Sequence, residues 1–149
     1  MKHVDDVFRY AMSRMGQREE AEDVAMEVVQ ALPNPCYRRD LRVYMIGMAR
    51  RKIADRLRRR HPVNEIRESE AASRFDHASD EAAMVARTMS SLSPEHREAL
   101  AMKYVVGLSS AEIGAAMGKR PEAVDSLMQR ARDAFAREWT RTSSDEVNL

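Results

Sequence analysis

Val4, Val7, Phe8, Ala11, Met12 and Met15 recur at the three- and four-residue steps of one helical face, and Gly16 marks the end of that helix. A second stripe of Ala21, Val24, Ala25, Val28 and Leu32 predicts a helix from about Glu19 until Pro33 and Pro35 forbid its continuation. The third begins near Asp40 or Leu41. Its apolar line is Leu41, Tyr44, Met45, Met48, Ala49, Ile53 and Leu57, while Arg51, Asp55, Arg58 and Arg59 repeat on another face. Residues 61–79 are polar, lack a sustained period and contain Pro62, which predicts a flexible linker.

Four further helices follow. Asp80 to Ser90 is the first. Ser93 with Pro94 behind it supplies a cap and a first-position proline for the second, which Gly107 stops. Ser109 to Glu112 reads as a capping box opening a short helix with Ile113 and Met117 inward, closed by Gly118. Pro121 opens the last helix, with Val124, Met128, Ala131, Phe135 and Trp139 as its core stripe. The period fades after Thr140, so residues 141–149 are expected to form a disordered tail. No strand pattern competes, and the fold class expected is all-α: two small helical domains, 1–60 and 80–140, joined by the linker.

Composition agrees with helices: a third of the 149 residues are charged, and only five Gly and five Pro interrupt them. No apolar run approaches the ~20 residues that span a bilayer, and no signal-peptide core is present, so no membrane insertion and a cytoplasmic location are expected. Cys36 is the single cysteine, which excludes an intramolecular disulfide and a cysteine-based zinc site. His3, His61, His77 and His96 have no metal-ligand spacing, and no phosphate loop or nucleophile motif appears, so neither an enzyme nor a cofactor is expected. The methionines sit at stripe positions beside Leu, Val and Ile and read as core filler.

Net charge is only +1, but it is strongly segregated. Residues 38–60 hold ten basic and two acidic groups, residues 1–32 four basic and seven acidic ones. A solvated helix face mixes signs, as residues 92–139 do with seven of each, so the basic block favours an anionic partner such as nucleic acid. The segment 110–117, the Gly118 turn and the helix from Pro121 form a helix-turn-helix candidate, whose second helix would enter a major groove.

Glu20-Ala21-Glu22-Asp23-Val24 with Glu27, and the run Tyr44-Met45-Ile46-Gly47-Met48-Ala49-Arg50-Arg51-Lys52-Ile53-Ala54-Asp55-Arg56-Leu57-Arg58-Arg59-Arg60, resemble two motifs of the extracytoplasmic-function sigma factors. Leu92-Ser93-Pro94-Glu95-His96-Arg97-Glu98, Tyr104-Val105-Val106-Gly107-Leu108-Ser109, Glu112-Ile113-Gly114 and Ser126 with Arg130, Ala131 and Arg132 resemble that family's second domain. The resemblance covers nearly the whole chain. It implies core RNA polymerase and promoter DNA as partners in transcription initiation, with an anti-sigma factor as a further candidate.

By the same resemblance Glu22, Asp23 and Glu27 would bind polymerase. Tyr37, Arg38, Arg39, Tyr44, Arg50, Arg51, Lys52, Arg58 and Arg59 would lie at the −10 element, with Tyr37 and Tyr44 as surfaces for unstacked bases. Arg120, Glu122, Asp125, Ser126, Gln129, Arg130 and Arg132 would face the −35 element. The chain departs from the family at Met26, where a Gln is usual, and between Glu27 and Tyr44, which is a few residues short. Its first helix is expected to be truncated. Asp125 and Leu127 stand where the family carries basic residues, and Ala123 where it often has Thr. These departures motivate an alternative, a sigma-like regulator that binds polymerase or DNA without initiating transcription.

Overall fold

The computed structural model describes residues 2–33, 36, 39–60 and 80–147. The linker assigned to 61–79 lies outside them, as do Tyr37 and Arg38. Helices α1 (Lys2–Met15), α2 (Arg18–Ala31) and α3 (Leu41–Arg60) pack on one another as a three-helix bundle. Val7, Ala11, Met15, Ala21, Val24, Val28, Met45, Ala49 and Ile53 fill it, and all of them come from the stripes that the period predicts. Gly16 takes φ +72°, a left-handed conformation open to glycine without a Cβ penalty, and so turns the chain from α1 into α2.

In the second half, α4 (Asp80–Ser90), α5 (Pro94–Leu100) and α6 (Ser110–Met117) gather around α7 (Pro121–Val147). Between α5 and α6 the helix continues as a π-helical turn, Ala101–Val106, before Gly107 ends it at φ +85°. The period did not signal that widened turn. Caps form where the sequence places them. Ser93 Oγ accepts from the His96 N–H, and at α6 the Ser109 N–H donates to Glu112 Oε1 at 2.9 Å while the Glu112 N–H donates to Ser109 Oγ at 3.1 Å.

Two expectations need correction. The tail after Thr140 is helical through Val147. Its side chains hold it locally: Arg141 pairs with Glu138 and Asp145, Ser143 donates to the Trp139 carbonyl, and Ser143 also lies against Met84 of α4. Apart from the Ser143 contact with Met84, these are i, i+3 and i, i+4 contacts made by polar side chains, which a search for apolar period cannot register. Leu127, read as a lost surface cation, is instead buried beside Val124, Met128 and Ala131. It widens the core face of α7, as a buried stripe more than 100° across requires.

The largest departure concerns α3. Besides its predicted stripe it buries Ile46, which widens the same face, and Val43 and Gly47, which lie on another side of the helix. That side is covered by the second half: α6 packs on α3, and the π-helical turn packs on α1. One apolar cluster therefore runs through both halves. The approach is close at Gly47, where a Cβ would lie in ordinary contact with Ala116, 3.5 Å from its carbonyl oxygen and 3.7 Å from its Cα.

Gly114 sets the tightest constraint within the helix-turn-helix. A Cβ at this position would sit on the carbonyl oxygen of Lys119, well inside contact distance, with Val124 Cγ2 also near at 3.5 Å. Backbone cannot yield as a flexible side-chain end can. Gly114→Ala should lower stability by about 1–3 kcal/mol, read as a fall in the urea midpoint with the slope unchanged.

Candidate nucleic-acid interface

The charged residues of the first half were expected to divide their labour, acidic ones toward protein and basic ones toward DNA. Many of them pair with each other instead. Arg56 and Lys52 on α3 both engage Glu27 on α2, and Arg60 engages Glu20 while donating to Gln17 Oε1 at 3.2 Å. These bridges hold α2 against the C-terminal half of α3. Glu22 pairs with Arg18 one turn earlier at 3.0 Å, and both are exposed. Asp23 is exposed and has no ion-pair or hydrogen-bond partner among the described residues. Beside it Met26 leaves over half of its surface in solvent, 55%. The exposed surface of α2 thus includes Glu22, Asp23 and Met26 side by side, with Glu27 at their rim.

On α3 the predicted DNA-facing residues separate into three groups. Arg51, Arg58 and Arg59 are exposed, and Arg58 is held by Asp55 one turn away. Lys52 leans toward Glu27. Arg50 points the other way, into the seam between the halves, where it binds Glu98 of α5. Tyr44 is half-buried against the core cluster. Arg39 is exposed and lines an open cavity of about 420 Å³ with His3, Arg42 and Glu112.

The helix-turn-helix is α6, the Gly118 turn at φ +71° and the start of α7. Lys119 in the turn reaches Glu95 of α5 at 2.7 Å, and that hydrogen bond, followed by the lysine's charge, holds the Glu95 carboxyl below its ordinary range. Arg120, Glu122, Ser126, Gln129 and Arg130 are all exposed along one side of α7. Asp125 is not free to act as a bare anion, because Ser110 Oγ of α6 donates to its Oδ1 at 2.6 Å. This bond ties the two helices of the motif together. Arg132 donates to the hydroxyl of Tyr104, itself 60% exposed, at 3.3 Å.

Glu98 and Arg14 were absent from the predicted site, and both are buried at the seam. A signal for them existed. Arg14 falls seven residues after Val7 and four after Tyr10, so it occupies a stripe position, and Glu98 directly precedes the buried run Ala99, Leu100, Ala101 and Met102. Charges inside an apolar period require partners brought by the tertiary fold. Among the described residues no group of three or more His, Cys, Asp or Glu is arranged to hold a metal, and no helix is long and apolar enough to cross a membrane.

Set beside known proteins, residues 1–62 match the family model described as Sigma-70 region 2, and residues 82–135 match Sigma-70, region 4. The chain belongs to the sigma-70 family, of the extracytoplasmic-function type. It is 27% identical over 152 residues to the ECF RNA polymerase sigma factor BldN of Streptomyces coelicolor, covering 91% of this chain and 57% of that protein. The chain therefore spans little more than half the length of that relative. The sigma factor RpoE from Bartonella quintana, solved in complex with the anti-sigma factor NepR, shares the fold at a TM-score of 0.68 and 15% identity, over 93% of this chain and 92% of that one.

The Ser110 to Asp125 bond makes a separable prediction. Ser110→Ala should cost about 0.5–1.5 kcal/mol of stability and leave an unengaged carboxylate on the helix expected to face DNA, so thermal melting and DNA affinity should both fall. Asp125→Asn keeps an acceptor for Ser110 and should restore affinity above that of Ser110→Ala. Equal affinities for the two variants would show that the charge of Asp125 does not matter to DNA.

Proposed function

We propose that this chain binds core RNA polymerase in the cytoplasm and directs it to promoters. The region 2 half docks through Glu22, Asp23 and Met26 and presents the basic side of α3 to the −10 element. The region 4 half offers α7 to the −35 element. The observation that carries this reading is the exposed acidic and apolar surface of α2 on the same chain as a helix-turn-helix. An ordinary DNA-binding module has no use for the first of these.

Within α3 the pairing pattern selects the cations available to phosphate. Arg51 and Arg59 have no internal partner among the described residues, whereas Arg56 and Lys52 are committed to Glu27. In the −35 half, Arg120 at the start of α7 is the best-placed base reader, since N-terminal residues of a recognition helix approach base edges. Ser126, Gln129 and Arg130 follow it along the exposed side. An anti-sigma factor is a reasonable third partner, as RpoE is held by one.

Run-off transcription with core polymerase, with and without the chain, tests the proposal directly. Chain-dependent transcripts are expected. Binding to polymerase without transcripts would favour the regulator alternative.

Asp23→Lys should weaken binding to core polymerase by on the order of tenfold, with circular dichroism unchanged because an exposed helical charge alters stability by less than ~0.5 kcal/mol. Unaltered affinity would exclude Asp23 from the docking surface.

Arg59→Ala should reduce the slope of log affinity against log salt in the promoter complex by about 0.7–0.9, the share of one phosphate contact. Arg56→Ala should leave that slope nearly as it is and lower stability instead, through the loss of its bridge to Glu27.

A further inference from the structure

Tyr10 and Arg14 of α1, Arg50 of α3 and Arg97 and Glu98 of α5 form one polar cluster within otherwise apolar packing. Glu98 bonds Arg50 and lies 3.8 Å from Arg14, while Arg97 lies close enough to feel both Arg14 and Glu98. Three guanidinium groups therefore share one carboxylate, and two positive charges are left over. The charges acting on Tyr10 are Arg14, Glu98 and Arg50, and those acting on Arg97 are Arg14 and Glu98, so among the described residues no second acid compensates the cluster.

The hydrogen bonding shows the same shortfall. Arg14 is only 8% exposed, yet its Nε and Nη1 have no hydrogen-bond partner. Neither has the hydroxyl of the fully buried Tyr10, beside which Arg14 stands without bonding geometry, nor Nε of the half-buried Arg97. Buried donors are normally satisfied, and excess charge in an interior is costly. Burial pushes the Tyr10 phenol up, outweighing the charge of Arg14, so it remains a donor at neutral pH. Burial, and then the charge of Arg14, push the Arg97 guanidinium down to about 10, where it is still a cation at neutral pH.

All four unbonded groups are donors, so their complement is a compact acceptor that carries more than one negative charge. Phosphate is such a species, a tetrahedron of acceptor oxygens with a second ionisation near neutral pH, and guanidinium forks pair with its oxygens two bonds at a time. Arg50 and Arg97 are only partly buried, which leaves a route from solvent toward Arg14 and Tyr10. We infer that Arg14, Arg97 and the Tyr10 hydroxyl form a binding site for a small inorganic oxyanion, phosphate by charge and shape. The ion accepts from the donors that the chain leaves unbonded, balances the excess charge and leaves the bond between Arg50 and Glu98 in place.

Isothermal titration of the full-length chain with inorganic phosphate, at fixed ionic strength, tests the site. Saturable binding with Kd on the order of 1 mM or tighter is expected. Sulfate should substitute for phosphate, and chloride should not. Arg14→Gln and Arg97→Gln each remove a cation and its donors, and each should weaken phosphate binding by about tenfold or more. Glu98→Gln removes the competing carboxylate and should shift affinity the other way. Should Arg14→Gln or Glu98→Gln lose its helical circular dichroism, Arg97→Gln decides alone, since its side chain is only half-buried. AMP carries the same phosphoryl group on a bulky body and should bind more weakly than phosphate. Absence of saturable binding to the unaltered chain overturns the site, and so does an unchanged affinity in Arg97→Gln. Tighter binding of AMP overturns the choice of a small ion.

Discussion

Helix α3 is packed from two sides, and the remaining helices are arranged to make that possible. One side carries Met45, Ala49 and Ile53 into the bundle with α1 and α2, and the other carries Val43, Gly47 and Arg50 toward α5 and α6. A helix covered in this way has only a narrow strip left for solvent. On α3 that strip is Arg51, Asp55, Arg58 and Arg59, so the packing itself selects which members of the basic block remain available to an anionic partner. At Gly47 a Cβ would already touch the Ala116 backbone at 3.5 Å, so a side chain larger than alanine's would hold α6 away from α3.

The two sides of α3 are joined by different physics. Within the bundle, apolar burial is supplemented by ion pairs that are only partly buried, Arg56 with Glu27 and Arg60 with Glu20. Such pairs orient neighbouring helices but contribute little each. Across the seam the charges are far less accessible, and one carboxylate must compensate several guanidinium groups. Buried charge is costly when its partner is lost. The seam is therefore the place where a single protonation, substitution or competing ligand changes the balance most.

The second half follows a similar economy of contacts. Lys119 fixes the turn to α5, Ser110 fixes α6 to α7 through Asp125, and Gly114 keeps the turn backbone close to α6. An acidic residue on the helix proposed to face DNA is puzzling when only α7 is considered. Once Ser110 is placed beside it, Asp125 is a fastener between the two helices of the motif. The family match at 82–135 covers the motif and its supports but ends before the last three turns of α7, whose helix is maintained by local pairs such as Arg141 with Glu138.

Helix order, the Gly16, Gly107 and Gly118 stops and the Ser93 and Ser109 caps were legible in the sequence, and so was the family, from motifs that are short runs of neighbouring residues. Each of these depends on residues within four or five positions of one another, which is the range of helical period and capping. The engagement of Glu27 by Arg56, of Asp125 by Ser110 and of Glu98 by Arg50 spans 29, 15 and 48 positions. So does the fate of Val43 and Gly47, whose neighbours belong to the other half. Tertiary structure alone decided these, because whether a charge is paired or a helix face is covered depends on distances between segments, and local periodicity carries no information about them.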